Sequence, residues 1–156
     1  KHFGDFTLVS TEERLMESIT SEHFPDLKYN FKGFIDLVLK TDDGKYHVID
    51  WKTCSWGWDA KRKADKMTCY QLVLYKNFFA QKHNIDPRDI DTHFALLKRT
   101  AKKNQIEIFR VTSGQKRIKN SLDMLEASVY NIINKKYIKN RLACNRCPYY
   151  KTEHCT

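Results

Sequence analysis

Two short apolar runs joined by a turn constrain the fold of this chain more than any other feature. The stretch from Phe31 to Lys52 reads FKGFIDLVLKTDDGKYHVIDWK, and residues 41–44 between its apolar runs favour a tight turn. Apolar runs on both sides of an Asp-Gly turn are typical of a β-hairpin. One acid lies in each run, Asp36 in the first and Asp50 in the second. The sequence therefore predicts two antiparallel strands that each carry a carboxylate.

The alternation of side chains along a strand predicts that these charges meet. Asp36 should share a face with Phe34 and Val38, and Asp50 should share one with Lys52. An acid between apolar neighbours is costly to bury unless a cation or hydrogen bonds compensate its charge. A divalent metal would compensate both acids at once.

The charge balance of the chain favours a polyanionic partner. Its 156 residues contain 28 Lys and Arg against 19 Asp and Glu, a formal net charge of +9. Such an excess is typical of proteins that bind nucleic acid, although it also occurs in basic proteins that bind none. The length suits one domain, residues 1–156, with a core large enough to fold without disulfide staples.

The sequence shows no sign of a membrane protein. No apolar run approaches the roughly 20 residues that span a bilayer, and no signal peptide pattern opens the chain. Five cysteines are an odd number in a chain without a secretion signal, which argues against a disulfide framework. We therefore expect a soluble, intracellular protein that contacts no membrane.

The segments around the hairpin predict further strands and helices. Residues 6–19 contain a β-prone run followed by a part that fits a strand or a short helix, and residues 20–28 fit a loop. Asp59 is placed to cap a helix. Residues 63–81 have the apolar spacing of an amphipathic or buried helix, which should end before Pro87.

The C-terminal half predicts a second hairpin and a last helix. Two β-prone runs, 92–98 and 105–112, flank a basic turn at residues 99–104. From Gly114 onward, apolar residues at helical spacing predict a core-facing helix through Ile118, Leu122, Leu125, Val129, Ile132 and Ile133.

The charged residues of the first hairpin match the requirements of phosphodiester cleavage. That reaction needs the phosphate charge neutralised, a water molecule made nucleophilic and the leaving oxygen stabilised. Magnesium or manganese held by carboxylates can meet all three needs, with help from an amine. Asp36, Asp50 and Lys52 supply these groups, although Lys52 could equally form a simple ion pair with Asp50.

These residues resemble the motifs of the PD-(D/E)xK nuclease superfamily. Within it they are similar to the RecB-like branch, which includes CRISPR-associated adaptation nucleases and helicase-nuclease domains. Residues 33–36 (GFID) resemble the Gly-x-x-Asp strand of that branch, and residues 49–52 (IDWK) resemble its Asp-x-Lys motif. Gln71 with Tyr75, four residues apart on a predicted helix, resembles its Gln-x-x-x-Tyr motif. The three motifs span less than a third of the chain.

The resemblance implies an α/β fold of the restriction-endonuclease-like type, with a central mixed sheet flanked by helices and a Cys-rich C-terminal segment. It implies that Asp36 and Asp50 hold magnesium or manganese, and that Lys52 orients or activates the attacking water. It further implies that Gln71 and Tyr75 orient the active site or contact DNA.

The sequence departs from the family pattern at one metal ligand. Such nucleases usually carry a His or Glu on an earlier helix, and no convincing helix of this kind precedes Lys32. His2 lies too near the start of the chain to be a secure substitute, and Glu13 and Glu17 fit exposed surface acids better than ligands. Either the missing ligand lies upstream of Lys1 in a longer protein, or the metal site of this chain is incomplete.

A second candidate metal site lies in residues 144–155, CNRCPYYKTEHC. Cys144, Cys147 and Cys155 offer three sulfurs, and His154 could complete a zinc site. The resemblance favours a 4Fe–4S cluster, because the RecB-like branch often holds one with an upstream cysteine and three C-terminal ones. The fourth cysteine would then also lie upstream. Zinc is the less favoured alternative, and free thiols are the remaining one.

Aromatic and basic residues follow the first hairpin directly. Aromatic faces stack on unpaired bases while lysine and arginine hold phosphates, so this loop is a candidate for gripping single-stranded DNA. Lys61 and Arg62 are the candidate phosphate contacts, with a solvated basic turn as the alternative. We expect Trp51 in the core, because it alternates away from the adjacent acid, whereas Trp56 and Trp58 fit either a core or a site position.

The predicted function is a divalent-metal-dependent DNA nuclease that acts as an exonuclease or on single strands or ends. We expect it to work within a larger polypeptide or a helicase-containing complex. Two other classes fit the same sequence. One is a nucleic-acid-binding module on the same fold that lacks catalysis. The other is an interaction domain that the C-terminal cysteines stabilise through a metal.

Overall fold

The computed structural model describes residues 2–21, 28–137 and 141–155. The chain divides into two compact units, Lys1–Asp123 and Met124–Thr156. The first unit holds the whole sheet and every candidate residue of the first site. The loop predicted at residues 20–28 falls largely on residues 22–27, which lie outside the described residues.

A five-stranded mixed sheet forms the centre of the first unit. Its spatial order follows the chain order, β1 to β5, and the β3–β4 pair is parallel while the other pairs are antiparallel. The α/β fold with a central mixed sheet that the resemblance implied is therefore confirmed. The strands are β1 (Phe6–Ser18), β2 (Asn30–Thr41), β3 (Tyr46–Cys54), β4 (Ile90–Lys98) and β5 (Ile106–Val111).

The first predicted hairpin is formed by β2 and β3. Val38 lies opposite Val48, and the turn closes through a hydrogen bond of 2.9 Å from the Gly44 N–H to the Thr41 carbonyl. Gly44 has a φ of +84°, a conformation that residues with a Cβ rarely adopt. The Asp-Gly signal in the sequence therefore reflects a real backbone requirement.

The first strand, β1, resolves the strand-or-helix ambiguity of residues 6–19. It is one 13-residue strand at the edge of the sheet, paired only with β2 among the described strands. The register shifts between Leu8 and Ser10, and Glu12 has a φ of +52°. These irregularities interrupt the alternation that would have identified a long strand from the sequence.

The parallel β3–β4 pair requires a crossover, which two helices provide. These helices are α1 (Ala60–Ala64) and α2 (Lys66–His83). Asp59 caps α1 as predicted, accepting a hydrogen bond of 2.7 Å from the Arg62 N–H. Helix α2 ends at Asn84, whose left-handed conformation terminates it three residues before Pro87. Its buried side chains, including Leu72, Val73, Phe78 and Phe79, lie against the sheet.

The opposite face of the sheet carries its own apolar cluster. Leu39, Ile49 and Ala95 are buried there, and Phe3, Leu37 and Ile108 pack against them. Strand β3 is therefore buried on both faces, since Val48 and Ile49 are both buried. This explains why its sequence is a nearly continuous apolar run.

The second predicted hairpin, β4–β5, is confirmed, and α3 (Gln115–Ile133) forms where a helix was predicted. The expectation that α3 faces the core along its whole length is wrong. Val129 is buried, but Ile132 is 71% exposed and Ile133 is 42% exposed. Helical spacing identifies an apolar stripe on one face of a helix, but it does not identify which residues of that stripe are buried. Among the described residues, no helix combines the length and apolar character that a membrane crossing needs.

Candidate active site

Asp50 lies in the middle of β3 and is almost completely buried, with 2% of its surface exposed. The Gln71 side-chain amide donates a hydrogen bond of 3.0 Å to Asp50 Oδ1. Lys52 Nζ is 2.7 Å from Asp50 Oδ2, but its direction of approach does not form a hydrogen bond. One carboxylate oxygen is therefore buried beside a cation and lacks a hydrogen bond.

The surroundings of Asp50 raise the pKa of its carboxyl group above the usual value. Burial is the largest cause, because it removes the solvation of the charged form. Lys52 opposes this shift, whereas the charge of Asp36 adds to it. The negative charges of the two carboxylates therefore repel each other, as expected of groups that share one cation site.

Asp36 lies on β2 next to the same part of β3. Its Oδ2 accepts a hydrogen bond of 2.7 Å from the Trp51 backbone N–H, which ties the carboxylate to the neighbouring strand. This contact was not predicted from the sequence, because a backbone N–H donor does not depend on the type of side chain and is therefore not part of a sequence motif.

The strand alternation changes phase near Asp36. Gly33 faces Tyr75 of α2, yet Val38 is paired with Val48, which is in phase with Asp50. The prediction that Phe34 shares the face of Asp36 and Val38 is therefore wrong, and Phe34 is 45% exposed. The opposite residues of β1 include the irregular Glu12, so both strands are distorted at the level of the acid. Such distortions re-aim a side chain.

Gln71 and Tyr75 lie on α2 and both face the site. Gln71 Nε2 lies within 3.0 Å of Asp50 Oδ1 and 3.1 Å from the Tyr75 hydroxyl, so its amide links the helix to the acid. The Tyr75 ring approaches β2 closely, since a Cβ on Gly33 would lie 2.7 Å from Tyr75 Cε1. The glycine of the Gly-x-x-Asp segment therefore makes room for the tyrosine of the helix.

The chain matches a protein-family model. The model of the PD-(D/E)XK nuclease superfamily matches residues 2–152, nearly the whole chain. The chain belongs to the PD-(D/E)XK nuclease superfamily. No curated protein matches it.

The matching solved structures include one titled "Crystal structure of SSO0001". It is 17% identical to this chain, with a TM-score of 0.55, and the match covers 92% of this chain and 62% of that one. At this identity the likeness concerns the fold alone. The chain spans about 62% of the length of that structure.

Asp36 and Asp50 suit a hard divalent cation, but among the described residues no third ligand joins them. In the described ranges, no three His, Cys, Asp or Glu side chains are grouped in a way that could hold a metal ion. Asp36 and Asp50 nevertheless supply oxygen ligands of the kind that magnesium and manganese prefer. The buried oxygen of Asp50 without a hydrogen bond fits a cation-facing ligand.

The candidates for a further ligand have other partners. Glu13 accepts from Lys82 at 2.5 Å and lies 3.0 Å from His83 Nε2, so it ties β1 to α2. Burial acts to raise the Glu13 pKa, but these hydrogen bonds outweigh it and the net shift is downward. Glu13 is thus neither an exposed surface acid nor a metal ligand in this structure. His2 packs against the rings of Phe3 and His93.

The three tryptophans occupy different environments. The expectation of a core position for Trp51 is wrong, because its side chain is on the face opposite Asp50 and the residue is 37% exposed. Trp58 is buried against Phe94 and Phe109, whereas Trp56 is 78% exposed. Alternation gives the face of a strand residue but not how well that face is covered.

Lys61 and Arg62 are both exposed on α1. The Arg62 guanidinium stacks over Trp58, with its Cζ 4.7 Å from the ring centroid. Lys52 Nζ lies 5.9 Å from the centroid of Phe94, which in turn contacts Trp58. The aromatic cluster therefore connects Lys52 to the basic helix α1.

Sequence analysis missed that the basic turn 99–104 belongs to the same neighbourhood. Arg99 N–H donates to the Cys54 carbonyl at 2.8 Å, and Thr100 N–H donates to the Ser55 carbonyl at 3.3 Å. The sequence identified this turn only as the connection of a hairpin, because the β3–β4 pairing that places it beside residues 54 and 55 is long-range. The positive charge of the turn was the one sequence feature that pointed to a functional position.

The C-terminal cysteines do not form a metal site in this structure. Cys144 lies in a short 3₁₀ helix, Arg141–Arg146, and Cys147 follows that helix directly, with a hydrogen bond of 3.1 Å from the Cys147 N–H to the Cys144 carbonyl. Cys147 and Cys155 are exposed, and these three sulfurs form no ligand set among the described residues. As arranged, they do not fit a cluster.

Proposed function

We propose that this chain is a divalent-metal-dependent DNA nuclease of the RecB-like branch, directed to single strands or ends. The observation that carries the proposal is the buried Asp50, with one oxygen unpartnered by hydrogen bonds, beside Lys52 and the second carboxylate of Asp36. Its membership of a nuclease superfamily supports phosphodiester hydrolysis as the reaction.

Asp36 and Asp50 would hold the metal, and each is fixed by a separate element. Trp51 fixes Asp36 through its backbone, and Gln71 fixes Asp50 through its side chain. Bound magnesium or manganese supplies charge neutralisation at the phosphate and lowers the pKa of a water molecule. Lys52, already at the carboxylate edge, orients the attacking water and balances charge on the phosphate.

The decisive experiment compares the unmutated chain with Asp50→Ala, with manganese, on single-stranded and duplex DNA. We expect the substitution to lower the cleavage rate at least a hundredfold, because it removes a ligand and the partner of Lys52. Lys40→Ala, an exposed change near the hairpin turn, should leave the rate unchanged. Equal cleavage by Asp50→Ala and the unmutated protein would disprove the assignment.

A binding module that lacks catalysis is the second candidate. The observation that favours it is the absence, among the described residues, of a third ligand beside Asp36 and Asp50. Titration calorimetry with manganese separates the two functions. Metal binding that is lost in Asp36→Ala and Asp50→Ala supports the nuclease, whereas DNA binding without any such metal site supports the module.

For the C-terminal cysteines we retain a 4Fe–4S cluster in a longer protein as a proposal, with zinc as the less favoured metal. The motif carries this proposal, and the mechanism above uses none of its groups. Visible absorption and metal analysis of the longer protein, purified anaerobically with its upstream segment, test it. A colourless protein without iron would overturn it. A helicase-containing complex as the setting is likewise proposed on the resemblance alone.

A further inference from the structure

The β3–α1 loop (residues 55–59) and the β4–β5 turn (residues 99–104) form one surface, which we call the paired loops. Two hydrogen bonds join them, from the Thr100 backbone N–H group and from Thr100 Oγ1 to the Ser55 carbonyl, and a third runs from the Arg99 N–H group to the carbonyl of Cys54 at the end of β3. Cys54 follows Lys52 by two residues, about 7 Å along the strand. The paired loops therefore begin at the end of the strand that carries the proposed catalytic lysine.

The paired loops contain one buried and one exposed tryptophan. Trp58 is buried against Phe94 and Phe109 and anchors the loop. Gly57, with a φ of +117°, reverses the backbone between the two tryptophans. Trp56 is consequently presented to solvent with 78% of its surface exposed, which is unusual for so large an apolar side chain.

Exposed cations lie on the β4–β5 turn and on α1, the two segments that adjoin the loop of Trp56. They are Lys61, Arg62, Arg99, Lys102 and Lys103. The acids nearby are engaged elsewhere. Asp59 and Asp65 accept backbone hydrogen bonds at the starts of α1 and α2, and Glu107 is paired with Lys63 and Lys98. The surface is therefore positive around an exposed aromatic ring.

We propose that the paired loops bind a single-stranded nucleic acid, with an unpaired base stacked on Trp56 and the flanking phosphates held by the cations of the turn and α1. The inference rests on the proposed nuclease function, which sets the direction of the bound strand. From the paired loops the strand would continue toward Asp50 and Lys52. A single strand is favoured over a duplex, since bases already stacked in a helix cannot lie on an exposed indole. Lysine and arginine alone would accept either form.

Binding is measured in the Asp50→Ala background, so that cleavage does not consume the probe. The probes are a fluorescently labelled oligothymidylate and a blunt duplex of matched length. Trp56→Ala should weaken oligothymidylate binding about tenfold and duplex binding much less. Trp56→Phe should retain most of the affinity but lose the quenching of tryptophan fluorescence that stacking produces.

Charge reversals give the second arm. Lys102→Glu should weaken oligothymidylate binding, whereas Lys40→Glu, an equally exposed change at the far end of the β2–β3 hairpin, should have little effect. Thermal melting confirms that each variant is folded. Unchanged affinity of Trp56→Ala, or equal losses for Lys102→Glu and Lys40→Glu, overturns the inference.

The outcomes separate this surface from the catalytic proposal. If the unmutated protein cuts no DNA but Trp56→Ala loses single-strand binding, the surface stands and the nuclease function fails. If the unmutated protein cuts and Trp56→Ala binds normally, the nuclease function stands and the surface fails.

Discussion

The carboxylate of Asp50 combines deep burial, a neighbouring acid and an oxygen without a hydrogen bond. Burial and the neighbouring acid disfavour the charged carboxylate in the metal-free folded protein, Lys52 opposes them, and a bound divalent cation would oppose them further. Groups that oppose stability in this way are concentrated at functional sites. The balance between stability and function at this residue can therefore be measured directly.

Asp50→Asn should make the metal-free protein more stable by about 1 kcal/mol at neutral pH, because it removes a buried charge. The folded-state pKa of Asp50 is raised, so its ionisation costs stability as the pH rises through that pKa. The gain from Asp50→Asn should accordingly shrink as the pH is lowered toward the ordinary aspartate value. Urea unfolding in the presence of a chelator at several pH values measures this. A loss of stability at neutral pH would contradict the argument.

At the scale of elements, α2 is fixed to β2 by a close approach of ring to backbone. The Tyr75 ring lies over Gly33, and Phe31 of the same strand stacks on Phe78 of the helix with ring centroids 4.3 Å apart. The position of α2 in turn sets that of Gln71, which holds Asp50. The distance between β2 and α2 therefore affects the position of the Asp50 carboxylate.

Gly33→Ala should destabilise the fold by roughly 1–3 kcal/mol, because the new Cβ would lie 2.7 Å from Tyr75 Cε1 and 3.1 Å from Phe31 Cε1. Chemical denaturation measures the change, and cleavage should fall along with it. Gly114→Ala is the matched control, since no atom lies within 4 Å of a Cβ there. In a double-mutant cycle with Tyr75→Leu the two effects should be non-additive. Additive effects would show that the ring is not the cause.

The elements that could be predicted from the sequence were those with strong local signals. The Asp-Gly turn, the spacing in α2 and the basic turn between β4 and β5 identified two hairpins and a helix. The hairpin pattern singled out Asp36, Asp50 and Lys52, and the resemblance added Gln71 and Tyr75. The structure joins Asp50, Lys52, Gln71 and Tyr75 in one hydrogen-bonded or ion-paired chain. The contacts that escaped prediction depend on backbone geometry and long-range pairing. They include the Trp51 N–H on Asp36, the phase change in β2 and the joining of the paired loops.

A buried histidine pair joins the parallel strands β3 and β4. The Thr41 hydroxyl donates to Asp43 at 2.5 Å, so it accepts from His47 Nε2 at 3.1 Å, and His47 Nδ1 then accepts from His93 Nε2 at 3.1 Å. Both rings are neutral in this arrangement. Burial, followed by the proximity of His47, lowers the pKa of His93 to about 4. Asp91 acts against this shift, while His2 and Arg110 add to it.

Acid should therefore destabilise the protein through His93. A histidine whose folded-state pKa is lowered contributes stability above its unfolded pKa near 6.5, and this contribution is lost as the pH falls toward 4. The loss is on the order of 3 kcal/mol by pH 4. Unfolding measurements between pH 7 and pH 4 should show a steeper decline for the unmutated protein than for His93→Gln. Parallel declines would contradict the assignment.

At the scale of the whole molecule, the net charge of +9 acts together with its uneven placement. Exposed cations gather on the paired loops and α1, next to the acids that would carry out the reaction. Electrostatic attraction would bring a polyanion to this side of the sheet before any base is recognised. Affinity for single strands should accordingly depend strongly on salt.

In the Asp50→Ala background, the logarithm of oligothymidylate affinity should fall linearly with the logarithm of salt concentration. Three or more phosphate contacts predict a slope of about −2 or steeper, because each contact contributes about −0.7 for a single strand. Lys102→Gln should flatten the slope by one such step, and Lys40→Gln should leave it unchanged. Fluorescence anisotropy across a salt series measures these slopes. A slope near zero would rule out the electrostatic contribution.

The irregular outer strand β1 has a consequence for how copies of the molecule behave toward one another. Its first half exposes Phe6, Leu8 and Val9, apolar side chains on a strand whose outer edge has no neighbour among the described strands. A flat edge of this kind invites strand-to-strand pairing and fibre growth. The register shift at Val9 and the left-handed Glu12 bend the edge, so that an incoming strand could follow it for only a few residues. The irregularities that oppose ribbon-like aggregation thus lie in the same part of β1 as the exposed apolar side chains that would favour it.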